Sequence, residues 1–119
     1  MRPRGNKYRA TPTECLQGHK HASKREAKRC NDLHILQAVG QIAGLRVEPQ
    51  FWFVIDGVQV KHPNGRRVGY KPDFAYFELP GFKDVVEDIK SDATMTEAAV
   101  LRMTLFRALF PDVELRVVK

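Results

Sequence analysis

The sequence predicts an α/β domain built on a central mixed β-sheet flanked by helices. Three observations carry that expectation. The elements legible along the chain run α, several β, α, β, an order that suits a covered mixed sheet better than a sandwich or a bundle. A length of 119 residues allows one core and is too short for two. A hydrophobic fraction of 43% belongs to a folded globule rather than a disordered chain.

Residues 1–12 are polar and basic, with Pro3, Gly5 and Pro12, and read as a flexible arm. Residues 13–119 read as the single domain. Thr13 to Ala22 suggests a small hairpin turning at Gln17-Gly18. A helix is expected from about Ser23 to Val39, because Ser23 suits the N-cap and Glu26, three residues on, completes a capping box. Ala27, Cys30, Leu33, Leu36 and Val39 recur at helical spacing as its buried stripe. Gly40 and Gly44 mark the stop. Leu45 to Ile55 reads as strand interrupted at Pro49. Asp56-Gly57 signals a hairpin turn, with Val58 to Val60 as the return. His62 to Arg67 is a polar tip with a second turn at Asn64-Gly65. Val68 to Phe77 resumes as strand, and Pro72 marks an edge or a bend in it. Leu79-Pro80-Gly81 turns the chain into a short strand over Val85 to Lys90. Thr94 with Glu97 repeats the capping-box pattern and opens a second helix. Its stripes, Ala98-Leu101-Leu105-Ala108 and Ala99-Met103-Phe106-Phe110, make it apolar on most sides, so it is expected to pack centrally. Pro111 ends it, and Val113 to Val118 is a closing strand.

The formal net charge is +6, which favours a polyanionic partner. Its distribution is more telling. Residues 1–34 hold nine Lys or Arg against three acids, which reads either as a solvated face or as a phosphate-contacting arm and helix. The Arg-rich start has no apolar stretch of a secretory signal. The longest strongly apolar run, Phe51 to Ile55, is far too short to span a bilayer. Two cysteines make no disulfide framework, so the expected setting is intracellular, in the cytoplasm.

The chemistry-bearing residues lie on these elements in a specific order. Strand alternation puts Asp88 and Lys90 on one face, with Glu87 and Ile89 on the other. If Asp73 sits on the neighbouring strand, its carboxylate meets that of Asp88. Two carboxylates so close repel unless a cation lies between them. Mg²⁺ suits such a site, through oxygen ligands, retained waters and room for a phosphate oxygen, with Mn²⁺ as its substitute. The Ile89 carbonyl is a further available ligand, Glu26 a third acid, and Lys90 a cation for the developing negative charge. Each has a structural alternative: Asp73 as a strand-end aspartate, Asp88 with Lys90 as an exposed charge pair, Glu26 as the partner of Ser23 alone. Their order in a basic chain favours the site.

These segments resemble the PD-(D/E)XK nuclease superfamily: Pro72-Asp73, then Asp88-Ile89-Lys90, with Glu26 as the helical acid. More narrowly, Ser23 to Glu26, Tyr70 to Phe74, Val86 to Lys90 and the helix near Thr94 resemble a family of small phage and prophage proteins carrying a domain of unknown function, over about residues 7–118. The order is also similar to that of phage endonuclease I-type Holliday junction resolvases. The resemblance implies a restriction-endonuclease-like sheet and a Mg²⁺-dependent endodeoxyribonuclease acting on DNA, with branched DNA as substrate. It also implies a phage or prophage setting in a bacterial host, in DNA recombination, replication or packaging. Asp73 and Asp88 become metal ligands, with Ile89 and Glu26 as further ligands. Glu26, Asp73, Asp88 and Lys90 become the catalytic set. Three positions depart from the usual pattern: Ser91 stands for a glycine, Arg102 for a lysine, and Asp88 for a glutamate. Linear, nicked or flapped DNA, or a degenerate site that only binds DNA, are the rival readings.

Lys24, Arg25, Lys28, Arg29, Lys71 and Arg102 are the expected phosphate contacts. A homodimer follows from the need to cut two strands. Cys15 and His19 are four apart, as are Cys30 and His34, with His21 between the pairs. That spacing matches no common zinc finger. Cys30 also falls on the buried stripe of the first helix, so the sequence does not assign zinc there. Trp52, with Phe51 and Phe53, reads as part of a buried strand rather than as a base-stacking platform.

Overall fold

A computed structural model describes residues 12–16 and 18–119. The expected arm therefore lies, up to residue 11, outside the described residues, as does Gln17 of the first turn. Strands β1 (Thr13–Glu14) and β2 (Lys20–His21) pair antiparallel ahead of helix α1 (Lys24–Ala38). Ser23 caps that helix, its Oγ accepting the Glu26 N–H at 3.2 Å. Ala27, Cys30 and Leu33 form its buried stripe, but Val39 is exposed beyond the helix end.

Strand β3 (Ile42–Val47) begins three residues earlier than the sequence suggests. Gly44 does not help stop the helix. It sits inside β3 at φ +63°, where the register against the next long strand shifts between Ala43 and Arg46. An added Cβ there would lie 3.1 Å from the Phe77 ring. Short strands follow: β4 (Phe51–Trp52), β5 (Val54–Ile55), β6 (Val58–Gln59) and β7 (Gly69–Tyr70). β5 and β6 form the expected hairpin, with Asp56 and Gly57 at φ 51° and 76°, the signs a type I′ turn requires. The strand expected over Val68 to Phe77 is broken at Lys71–Asp73. β7 pairs with β4, whereas β8 (Phe74–Glu78) enters the main sheet. The buried Pro72 lies at that bend.

Strands β9 (Lys83–Ile89) and β10 (Glu114–Val118) are joined by helix α2 (Glu97–Leu109). The main sheet has the order β10-β9-β8-β3, with β9 and β10 parallel and the other pairs antiparallel. The expectation of a mixed sheet flanked by helices therefore holds.

The N-cap of α2 is Thr96, not Thr94. Thr94 instead closes a turn, its Oγ1 accepting the Ser91 N–H at 2.8 Å. Nor does α2 pack centrally. Met103 and Phe106 are buried, while Val100 and Leu101 are 46% and 59% exposed. One helix against one sheet face covers one stripe only, so the second apolar stripe is left near solvent.

Strand alternation splits the core in two. Phe74, Tyr76 and Val85 pack with Cys30 and Leu33 of α1. Ala75, Val86 and Leu115 pack on the other face with Met103 and Phe106 of α2, and with Phe53 and Tyr70. Each fully buried phenylalanine stabilises the fold by about 1.5–3 kcal/mol.

Candidate active site

The β8–β9 register sets Phe74 opposite Glu87, which brings Asp73 beside the end of β9. The Asp73 N–H donates to the Glu87 carbonyl at 3.1 Å. The Ile89 N–H donates to Asp73 Oδ2 at 2.6 Å. Ile89 thus touches the site through its amide nitrogen. Asp88 and Lys90 project together on the α2 side, with Lys90 Nζ 3.6 Å from Asp88 Oδ1. The hydroxyl of Tyr70 donates to Asp88 Oδ2.

Glu87 and Ile89 point to the α1 side. Glu87 is buried there and accepts from Arg29 Nε and Nη2 at 2.8 and 2.7 Å, and from the Tyr76 hydroxyl. Its charge is satisfied by a bidentate partner. Arg29 was read from the sequence as a phosphate contact. Its guanidinium is instead engaged with Glu87, because leaving that buried carboxylate alone would be strongly unfavourable.

Burial, then the neighbouring Asp88, then Glu26 push the Asp73 carboxyl up to about 8. Burial, then repulsion from Asp88, likewise raises the Tyr70 hydroxyl. Glu26 sits on the first turn of α1, with its Oε2 accepting the Ala22 N–H at 3.2 Å. Burial is the main force raising its pKa, the Ala22 N–H opposes it, Glu48 and Asp88 add to it, and Lys90 also opposes it. The three acids and one lysine singled out in the sequence are therefore close enough to sense one another's charge.

Glu48 belongs to the same neighbourhood and was missed. It stands at φ 50°, and its N–H donates to the Asp73 carbonyl at 2.8 Å. Its link to the site is spatial only, so spacing along the chain held no signal for it.

A groove of about 460 Å³ opens over Asp88. Arg66, Arg67, Lys71, Lys90 and Arg102 line it. Five cations around one buried acid give the groove a positively charged lining. Lys71 and Arg102, both expected phosphate contacts, are among its lining residues. Arg66 and Arg67 were read only as a polar tip, and the β-hairpin geometry brings them round to the groove. The Arg67 guanidinium stacks on the Trp52 ring at 3.9 Å. Trp52, in β4, is thus a 36% exposed wall of the groove, whereas Phe53, between β4 and β5, is fully buried. Lys24, Arg25 and Lys28 are exposed on α1, and Arg25 and Lys28 border a separate shallow depression beside Ile89 and Val118.

Fold and site together define a small basic mixed α/β domain whose two inner strands end at a pair of neighbouring carboxyls and a lysine below a cationic groove. The chain belongs to the family described as protein of unknown function (DUF1064), whose model matches residues 5–119. No curated protein and no solved structure matches it. Among the described residues, no helix is long and apolar enough to cross a membrane.

Proposed function

We propose that this domain is a Mg²⁺-dependent endodeoxyribonuclease, with branched DNA as its preferred substrate. The observation that carries the reading is the placing of Asp73 beside the end of β9, next to Asp88 and Lys90, under a groove lined by arginine and lysine.

The carboxyl pair itself suits a divalent cation. Asp73 is raised to about 8 by burial and by its acidic neighbours, so near neutral pH the pair holds a proton that a hard cation can replace. The donors are carboxylate oxygens, the type Mg²⁺ prefers. Asp73 and Asp88 would hold the ion, with Glu26 acting through a bound water. When bound, the ion supplies Lewis-acid polarisation of the phosphodiester.

The remaining roles belong to the chain. The Ile89 N–H and the Tyr70 hydroxyl fix the two aspartates in orientation. Lys90 places positive charge where negative charge develops on the phosphate. Glu26, with a raised pKa, orients the attacking water and accepts its proton. Arg66, Arg67, Lys71 and Arg102 bind the flanking phosphates, and these contacts make affinity fall steeply with salt. Two such sites, in a homodimer, are required to cut both strands of a junction.

The test is cleavage of a labelled four-way junction beside its matching linear duplex, with Mg²⁺ or EDTA, by wild type and Asp73→Ala. Metal-dependent cutting of the junction that Asp73→Ala abolishes is the expected result. Equal cutting of both substrates keeps the nuclease and removes the branch preference. Binding without cutting of either leaves a DNA-binding protein and overturns the proposal.

A further inference from the structure

We infer that Cys15, His19, His21 and Cys30 form a structural zinc site that staples the β1–β2 hairpin to helix α1. It is separate from the carboxylate site and does not rest on the nuclease reading.

The four side chains come from two elements. Cys15, His19 and His21 lie on or beside the two short strands, and Cys30 lies in the second turn of α1. One ligand atom from each lies within 4.8 Å of all the others. Cys15, His21 and Cys30 are buried, at 5%, 3% and 0% exposure. His19 Nδ1 is 3.5 Å from Cys15 Sγ and 3.4 Å from Cys30 Sγ. Zn–S and Zn–N bonds of about 2.3 and 2.05 Å at a tetrahedral angle place sulfur and nitrogen about 3.6 Å apart. The observed spacings are close to that value.

Thiol–imidazole hydrogen bonding explains the cluster less well. A single ring nitrogen has one bonding direction, yet His19 Nδ1 faces two sulfurs. His21 also has a buried Nε2 with no hydrogen-bond partner among the described residues. An unmade hydrogen bond at a buried polar atom is costly and uncommon. Coordination accounts for both features. Two cysteines and two histidines close a tetrahedral set and leave no position for substrate, which marks a structural ion rather than a catalytic one.

The surroundings supply the outer contacts that metal-binding histidines have elsewhere. His21 Nδ1 lies 3.9 Å from Glu26 Oε2. His34, paired with Cys30 in the sequence pattern, is not one of the four. Its Nδ1 lies 2.8 Å from the Cys30 carbonyl, one turn back along the helix. Repeated Cys-x3-His spacing alone would pair Cys30 with His34. The fold replaces His34 by His21 and turns the buried face of α1 into a ligand-bearing one.

The hairpin also requires such a fastening. Each of its strands is two residues long, and a two-stranded hairpin is marginal alone in water. A metal link between the hairpin and Cys30 holds Ala22 against Glu26, the contact that orients that acid.

The experiment uses the full chain, expressed without a histidine tag in zinc-supplemented medium and dialysed against a weak chelator. Elemental analysis is expected to find about one zinc per chain. Cys30→Ser and His21→Asn should reduce it at least tenfold, and Asp73→Asn with Asp88→Asn should leave it unchanged. Cobalt substitution of the wild type gives a second readout that requires no variant to fold. Intense tetrahedral d–d bands with thiolate charge transfer are expected. Three results would overturn the site: no retained metal, a Cys15–Cys30 disulfide in the mass spectrum, or zinc lost only with the two aspartates.

Discussion

Replacing Asp73 by asparagine should stabilise the metal-free protein while abolishing its response to Mg²⁺. In an unfolded chain this carboxyl has an ordinary pKa of 3.8, and in the fold it is held near 8. Between those values the folded state binds more protons than the unfolded one, so stability falls as pH rises through that window. At pH 7 the wild type stands roughly three pH units above the unfolded value. At 1.36 kcal/mol per unit that is a loss on the order of 4 kcal/mol. Asparagine copies the protonated acid. Its Oδ1 still accepts the Ile89 N–H, and its NH₂ donates toward Asp88 as the shared proton did. It carries no ionisation to suppress, so the gain should approach 4 kcal/mol at pH 7 and shrink to a few tenths near pH 4. For a domain of this size the melting point should rise by roughly 15 °C at pH 7. The assay is thermal unfolding of the EDTA-treated protein from pH 4 to 8, repeated with Mg²⁺. Saturating Mg²⁺ should raise the wild type and leave Asp73→Asn unmoved. If the variant is no more stable than wild type at pH 7, or if its gain does not change with pH, the carboxyl is ionised in the fold and the coupling argument fails.

Three further outcomes follow from contacts described above. Arg29→Ala should cost about 3–5 kcal/mol in urea unfolding, because it strands the buried Glu87. If instead stability is kept and only DNA affinity drops, Arg29 is a phosphate contact after all. Arg67→Ala and Arg102→Ala should each weaken DNA binding at low salt and lower the slope of log K against log salt by about one, with the melting point little changed. An unchanged slope would place the nucleic acid elsewhere. Gly69→Ala should destabilise by about 2 kcal/mol or more, since its Cβ would lie 2.3 Å from the Phe51 carbonyl oxygen. Wild-type stability in that variant would mean that β4 and β7 separate without loss.

The regular parts of this fold were legible because local patterns and tertiary packing agree. Ser23 with Glu26 signalled a helix start, and the Ser23 cap formed there. Asp56-Gly57 signalled a turn whose geometry tolerates few other pairs. Alternation alone assigned Asp88 and Lys90 to one face and Glu87 to the other. What was not legible depends on contacts between distant segments. Arg29 looked like any helical arginine until Glu87, far along the chain, was brought beneath it. Glu48 reaches Asp73, and Arg67 reaches the groove, only through the way the chain folds back on itself. Thr94 and Thr96 both precede an acceptable first turn, and the Ser91–Thr94 turn decides between them. The cysteines and histidines were judged by linear spacing, whereas their ligand set crosses from a hairpin to a helix.

The parallel pairing of β9 with β10 also affects the order in which this domain folds. The Lys90 N–H is held by the Val118 carbonyl at 2.8 Å, and Asp88 lies opposite Val117. During synthesis, the segment bearing Asp88 and Lys90 emerges well before the strand that completes it. Until α2 has formed and crossed the sheet, β9 is an unpaired edge with a half-assembled cluster of charge. Such long-range pairing is slow to form and exposes strand edges while it waits. Until β10 docks, the Lys90 N–H lacks the Val118 carbonyl that holds it in the folded domain.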